Sequence, residues 1–432
     1  MMRGLQRSWV LLLIWLASLM LTLSVGGSLF FSLTYLFTAI LIFSFLWAWL
    51  NVHWLRVTRH IRAGQIQVGH FIEERFVLEN TGWLPKLWVE LKDEANLPGH
   101  RVSRVTSNLG AKRQKSWHTR TPCYQRGRFR LGPILLSSGD PFGLFLFTKK
   151  LTNLTAHVVV YPKTVDLPGF QPPVGEQTGG EATHRRTHYV TTNISGIRDY
   201  VPGDSFNRIH WPSTARTNRL MVKEFELDPM ADVWVFVDME QRVQAGLSYT
   251  DIVPPALPQV HWQKLPEFKL PPSTEEYGVA VAASVSKHFL NQNRSVGLIT
   301  YANAQHREIA QSDRGERQLM RIYEMLAVAQ AHGTIPLAEV LAAEAMHFSR
   351  NITLIIITPS TDPNWVGVAH HLMSRGVRVT AVMIDPGSFG APTNSLEAEI
   401  ELTASHIPHY VLHEGDALEQ ALSYTRTERR FQ

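Results

Sequence analysis

From Trp9 to Leu50 the chain carries no charged side chain, and that limits what it can fold into. Two apolar runs, Val10 to Val25 and Leu29 to Leu50, are split by Gly26-Gly27-Ser28. A helix needs about 20 apolar residues to cross a bilayer core. The break and the combined length therefore predict a transmembrane helical hairpin over residues 1–54, embedded in a lipid bilayer. A cleaved signal peptide fits worse, because no small-x-small site ends the first run and a second run follows at once. Arg3 and Arg7 precede the hairpin, and Arg56, Arg59 and Arg62 follow it. Positive flanks on both sides put both ends, and everything after about Trp54, in the cytoplasm. Trp9, Trp47, Trp49 and Trp54 then lie at one interface as an aromatic belt.

At 432 residues the chain exceeds one hydrophobic core, so two or three domains are expected. A net charge of +5 without a concentrated basic face argues against nucleic acid as a partner. Cys123 is the one cysteine, so no intramolecular disulfide can form.

Residues 55–165 read as short strands between turn signals, the pattern of an immunoglobulin-like β-sandwich. Strands are predicted at Ile72 to Leu78, Arg101 to Thr106, Lys115 to Pro122, Arg128 to Leu136 and His157 to Tyr161. Leu87, Val89 and Leu91 alternate with Trp88, Glu90 and Lys92, which gives one buried face. The D-P-F-G-L-F run reads as a turn whose Phe142, Leu144 and Phe147 plug a domain junction. Residues 166–194, rich in Pro, Gly, Gln and Thr, read as a linker carrying a solvated basic patch of His184, Arg185, Arg186 and His188.

Residues 195–432 alternate between helix and strand patterns. Val233 to Val237, Val296 to Tyr301, Ile352 to Thr358, Val377 to Ile384 and Tyr410 to Leu412 are strand-like. Tyr277 to Asn291, Gln318 to Ala329 and Leu337 to Phe348 are helix-like, and a last helix follows Asp416. This alternation predicts a parallel, Rossmann-like α/β sheet with ligands at the carboxyl ends of its strands. Asp251 to Ser273 is a Pro-rich insertion at that face.

Ahead of the first of these strands, Ser195 to Glu226 mixes both charge signs with large aromatics. Its candidate site residues are Arg198, Asp199, Tyr200, Gly203, Asp204, Arg208, His210, Trp211, Arg216, Arg219, Lys223 and Glu224. Val201-Pro202-Gly203-Asp204 reads as a type II turn presenting Asp204. Two readings stand side by side. One is a buried ion-pair network that pins a loop; the other is a recognition or catalytic surface.

This run, G-I-R-D-Y-V-P-G-D-S-F-N-R-I-H-W-P-S-T-A-R followed by L-M-V-K-E-F-E, closely resembles the signature of the domain of unknown function 58 family. Gly127 and S-G-D-P-F-G-L-F, Ser138 to Phe145, fit the same resemblance. It implies a membrane hairpin, a β domain and a von Willebrand factor A-like domain in a bacterial or archaeal cell membrane. It also implies work with MoxR-type AAA+ ATPases that remodel or mature client protein complexes. The strand ending at Asp238 resembles the first strand of a von Willebrand factor A domain, which often holds Mg²⁺ or Mn²⁺ through Asp-x-Ser-x-Ser and a distant Thr and Asp. Here Asp238-Met239-Glu240-Gln241-Arg242 lacks both serines. Thr334 keeps its place, and Thr358-Pro359 stands where Thr-Asp would. Asp238 and Thr334 are thus a degenerate remnant, and no cofactor is expected.

No G-x-x-x-x-G-K-[ST], H-E-x-x-H, C-x-x-C or G-x-S-x-G run is present. Three functions stay open. The first is a non-enzymatic, membrane-anchored scaffold that draws energy from a partner ATPase. The second is an enzyme in which Asp204 or His210 serves as acid/base while Arg198, Arg208 and Arg216 bind an anionic group. The third is an envelope-linked structural protein.

Overall fold

The structure, a computed structural model, describes residues 5–62, 65–100, 102–172, 194–201, 206, 209–225, 232–252, 268–303, 306–350 and 352–423. The chain divides into two compact units. One holds Met1–Thr164, Leu247–Pro271 and Tyr323–Ala329; the other holds Val165–Gly246, Pro272–Ile322 and Gln330–Gln432.

The first unit begins with helices α1 (Leu5–Val25) and α2 (Ser28–Val52). Trp15 Nε1 donates to Thr38 Oγ1 at 2.8 Å, and the Ser18 and Thr34 hydroxyls meet at 2.9 Å. By length and composition α2 can cross a membrane, whereas the apolar stretch of α1, Trp9–Val25, is shorter. Apolar helices near the N-terminus point, in these general terms, to membrane anchoring.

Only His53 and Trp54 separate α2 from the first strand of a β-sandwich. Its strands are β1 (Leu55–Arg62), β2 (Ile66–Gln67), β3 (Phe71–Asn80), β4 (Lys86–Asp93), β5 (Arg104–Leu109), β6 (Gln114–Pro122), β7 (Gly127–Leu131), β8 (Ile134–Gly139), β9 (Leu146–Leu151) and β10 (Ala156–Tyr161). Antiparallel sheets β1-β3-β6 and β5-β4-β8-β9 enclose one core, in which Leu55, Phe76, Leu78 and Trp117 meet Val89, Leu91, Ile134 and Leu136. A smaller sheet, β2-β10-β7, covers a second cluster around Ile72, Cys123, Phe129 and Val160. Burial pushes the Cys123 thiol up to about 12.

Several details differ from the sequence expectations. Arg128 to Leu136 is two strands in different sheets, because Gly132-Pro133 interrupts the ladder: proline has no N–H to give it. The strand expected at Arg101 to Thr106 begins at Arg104. Leu87 is exposed at the start of β4, and Lys86 is buried instead. Lys86 Nζ donates to Leu50 O at 2.7 Å and Asn51 Nδ2 donates to Gly139 O at 2.9 Å, so the end of α2 is tied to the sandwich. Burial pushes the Lys86 ammonium down to about 8. The D-P-F-G-L-F run, expected to plug a junction with an unnamed neighbour, packs on α2, where Phe45 lies 5.7 Å from Phe145 and 5.5 Å from Phe147 between ring centres.

The sandwich also buries charge. Arg59 bridges Glu74 at 2.6 Å and Asp93 at 2.9 Å, while His100 Nε2 meets Asp93 at 3.0 Å. Burial alone would push the Asp93 carboxyl up. The hydrogen bond from His100 and the charges of Arg59 and His100 hold it below the usual carboxylate range.

In the second unit, β11 (Ile194–Asp199) and β12 (Met221–Phe225) form a two-stranded antiparallel ribbon, with α3 (Trp211–Thr217) between them in the chain. A six-stranded sheet follows. It uses β13 (Val233–Val237), β14 (Val296–Asn303), β15 (His306–Asp313), β16 (Thr353–Thr358), β17 (Arg378–Ile384) and β18 (His409–Leu412), in the order β15-β14-β13-β16-β17-β18. All pairings are parallel except β14 with the edge strand β15. The helices are α4 (Thr274–Asn291), α5 (Gly315–Val328), α6 (Leu337–Glu344), α7 (Asn364–Ser374), α8 (Leu396–Ala404) and α9 (Leu418–Ala421), with Tyr323 to Val328 of α5 counted in the first unit. The unbroken apolar runs of β13, β16 and β17 are covered on both faces, as parallel strands require. Of the stretch read as a linker, residues 166–172 and Ile194 are described: Leu167 and Phe170 are buried, with Phe170 against Phe289 and Tyr410, and Ile194 opens β11. His184, Arg185, Arg186 and His188 lie outside the described residues, as does most of the Pro-rich insertion.

Candidate functional site

Two places gather the residues that the sequence singles out. The first is the ribbon. Ile209 and Val222 form a β-bridge and are buried, which fixes the inner face. Their burial turns the rest outward. Trp211 is 65% exposed and Phe206 69%, and Ile197, Val201 and Leu220 are exposed beside them. Arg198, Asp199, Arg216 and Arg219 are exposed as well, and Lys223 is half-buried. A buried ion-pair network is therefore not what these four residues make. A two-stranded ribbon with one short helix has too little interior to hide them. Gly203, Asp204 and Arg208, with the expected type II turn, lie outside the described residues; Glu224 is placed on β12 by its backbone alone.

Tyr200 stacks loosely on Phe206, with ring centroids 6.0 Å apart. His210 has a local task. Its Nδ1 accepts the Ser213 N–H at 3.3 Å and lies 2.8 Å from Ser213 Oγ, capping the first turn of α3. A neutral imidazole that accepts at Nδ1 carries its proton on Nε2. Asn218 closes the helix with φ 52°, in the left-handed region that Asn tolerates. The result is an aromatic and cationic surface held by helix caps and one ladder.

The second place is the carboxyl edge of the six-stranded sheet. The chain moves from β13 to β14 on one side and later returns to β16 on the other, so β13 and β16 flank the switch point where open α/β sheets leave a crevice. Asp238 follows β13 and Thr358 ends β16. The Thr358 hydroxyl donates to Asp238 Oδ2 at 2.6 Å, and the Glu240 N–H donates to Oδ1 at 3.0 Å. The Ser360 N–H in turn donates to Thr358 Oγ1 at 2.9 Å. Burial pushes the Asp238 carboxyl up to about 6 against the pull of these hydrogen bonds. Burial also raises Glu240; Arg242 lowers it, and Asp362 and Glu339 raise it further. Gly333 bridges to Glu240, and a Cβ there would lie 2.7 Å from Met239 O, so only glycine lets these two segments cross.

These residues do not fit a divalent cation. Both Asp238 oxygens are engaged by protein donors, and Thr334 is exposed rather than gathered with them. Among the described residues no group of three or more His, Cys, Asp or Glu could hold a metal. The sequence reading set Thr358 aside as a mismatch to a metal motif; its place at the end of a buried strand facing Asp238 was the signal for the hydrogen bond.

Residues 196–251, which include most of the ribbon, match the family described as Protein of unknown function DUF58. The uncharacterized protein YeaD of Bacillus subtilis (strain 168) is 24% identical over 222 residues, covering 49% of this chain and 55% of YeaD. The chain thus spans about half the length of that relative. The family match falls on the same stretch whose signature carries the resemblance. Among solved structures, the CARDB domain of the PF1109 protein from Pyrococcus furiosus is 18% identical, covering 25% of this chain and 94% of that one with a TM-score of 0.18. The pilus adhesin SpaC from Lactobacillus rhamnosus GG is 11% identical, covering 45% of this chain and 28% of that one with a TM-score of 0.29. Overlaps this slight carry no argument.

Proposed function

We propose that this chain is a membrane-anchored, non-enzymatic scaffold whose ribbon docks a protein partner. The observation that carries the reading is the exposure of Trp211 and Phe206 beside exposed Arg216 and Arg219. Trp and Arg dominate binding energy at protein interfaces when a partner covers them. The partner implied by the family resemblance is a MoxR-type AAA+ ATPase, with client complexes beyond it. In this reading α1 and α2 span the bilayer as a hairpin, the sandwich is immunoglobulin-like, and the α/β sheet is a von Willebrand factor A-like domain that has replaced metal coordination with the Asp238–Thr358 hydrogen bond. The bulk of the chain then faces the cytoplasm.

Binding of the detergent-solubilised full chain to a purified MoxR-type ATPase from the same organism tests the reading. Trp211→Ala and Arg216→Glu should each weaken binding at least tenfold, since truncating a hot spot costs about 2 kcal/mol or more. Neither should move the melting temperature, because both side chains are exposed. Undiminished binding by both variants would remove the ribbon from the interface.

A further inference from the structure

The tip of the β8–β9 loop is apolar, exposed, and held against a helix that the proposed function places in the bilayer. Phe142 is 58% exposed, and its ring lies 6.5 Å from that of Phe43, itself 47% exposed. Phe43 stands nine residues before Val52, so the contact is roughly 13 Å down α2 from its end at about 1.5 Å per residue. The loop therefore reaches back along the helix instead of pointing away from it. Between Gly139 and Phe147 the sole charge is Asp140. That carboxylate is buried and accepts the N–H groups of Phe142 at 2.9 Å and Phe145 at 2.7 Å, so it stiffens the loop without presenting charge to its surroundings. What remains outside is Pro141, Phe142 and Gly143, continuous with exposed Phe43, Phe45 and Leu46 of α2.

The same edge of the sandwich carries the residues expected at headgroup level. Trp83 and Trp54 are exposed, with rings 6.3 Å apart, beside the turn in which the Lys112 N–H donates to Gly82 O. Lys112 and Arg113 are exposed in that turn, and Lys149 is exposed just beyond Phe147 on β9. Indole rings and cations flanking an apolar tip are the arrangement that settles at a membrane–water interface.

We propose that the Asp140–Phe147 loop inserts into the bilayer beside α2, so that the sandwich is seated on the lipid surface by this edge. The proposal rests on the reading of α2 as a membrane helix. A nitroxide attached to Phe142→Cys in the full chain, reconstituted in vesicles of phosphatidylcholine and phosphatidylglycerol, tests it. Cys123 is buried and stays unlabelled, which wild-type protein checks. Labels at Leu36→Cys, mid-helix, and Arg62→Cys, at the far end of β1, bracket the range. Collisions with oxygen should exceed collisions with a water-soluble nickel chelate at 142 and at 36, and the order should reverse at 62. Chelate access at 142 matching that at 62, with 36 protected, overturns insertion and leaves the anchor standing. Protection at 142 from both reagents with spin–spin broadening would mean that a second copy covers the loop, which also overturns it. Chelate access at 36 would remove the anchor itself, and the insertion with it.

Discussion

Thr358 and Asp238 face each other across the ends of two adjacent parallel strands, joined by a 2.6 Å hydrogen bond in which the hydroxyl donates. The partnership eases the burial of Asp238 without cancelling it. The folded carboxyl titrates at about 6 against an ordinary 3.8, so the folded chain holds this proton more tightly than the unfolded chain. That contribution is full below about pH 4 and is lost as pH rises through about 6. Ionised Asp238 costs about 3 kcal/mol at neutral pH, at roughly 1.4 kcal/mol per pKa unit. Asp238→Asn removes the charge and keeps an acceptor for Thr358, at the loss of the bond from the Glu240 N–H. The variant should be more stable than wild type by about 1–2 kcal/mol at pH 8 and less stable by a similar amount near pH 4, where only the lost Glu240 bond remains. Melts of the full chain in detergent at both pH values decide it; an unchanged difference would show that Asp238 is not the titrating group.

Inside the sandwich, Arg59→Met should destabilise by about 3–5 kcal/mol, because it leaves the Glu74 and Asp93 carboxylates buried without their cation. Asp93 has the opposite pH sign to Asp238. Its lowered folded pKa gives stability that is present above the unfolded value near 3.8 and lost as pH falls through the folded one. Asp93→Asn should accordingly flatten the acid limb of the stability curve below pH 4. Equal acid sensitivity in wild type and variant would count against this account.

Gly127→Ala tests a close approach. Gly127 has φ 141°, and an added Cβ would sit 2.6 Å from Tyr249 Oη, whose hydroxyl donates to Arg126 O. Strain and displacement together should cost about 1–3 kcal/mol. Tyr249→Phe removes the hydroxyl, so in that background the alanine penalty should shrink. Additive effects of the two changes would disprove the contact.

Legibility in the sequence followed the strength of the apolar pattern. β13, β16 and β17 were plain because buried parallel strands need unbroken apolar runs. β15 was missed because His306–Asp313 offers only Ile309 and Ala310 among polar residues, as an edge strand can. The break at Gly132-Pro133 was concealed by apolar residues on both sides that serve different sheets. For the ribbon, sequence brought the residue types into view but not their exposure, since opposite charges close in sequence look the same whether a core or solvent receives them. Phe142, Leu144 and Phe147 were recognised as packing residues, but the partner helix lies about a hundred residues upstream, beyond the reach of local pattern.

Arg126 shows what the chain must do while it is being made. Its Nε donates to Leu326 O at 3.0 Å and its Nη2 to Ala329 O at 2.6 Å, carbonyls 200 and 203 positions further on. Its guanidinium also lies 5.3 Å from the centre of the Tyr249 ring. A ribosome releases the sandwich strands well before it releases any of these partners. The N-terminal unit therefore starts folding first and finishes late, its last contacts arriving only after much of the following unit has been synthesised. Cutting the chain after residue 165 would yield a sandwich that keeps all its strands and lacks the carbonyls and ring that receive Arg126.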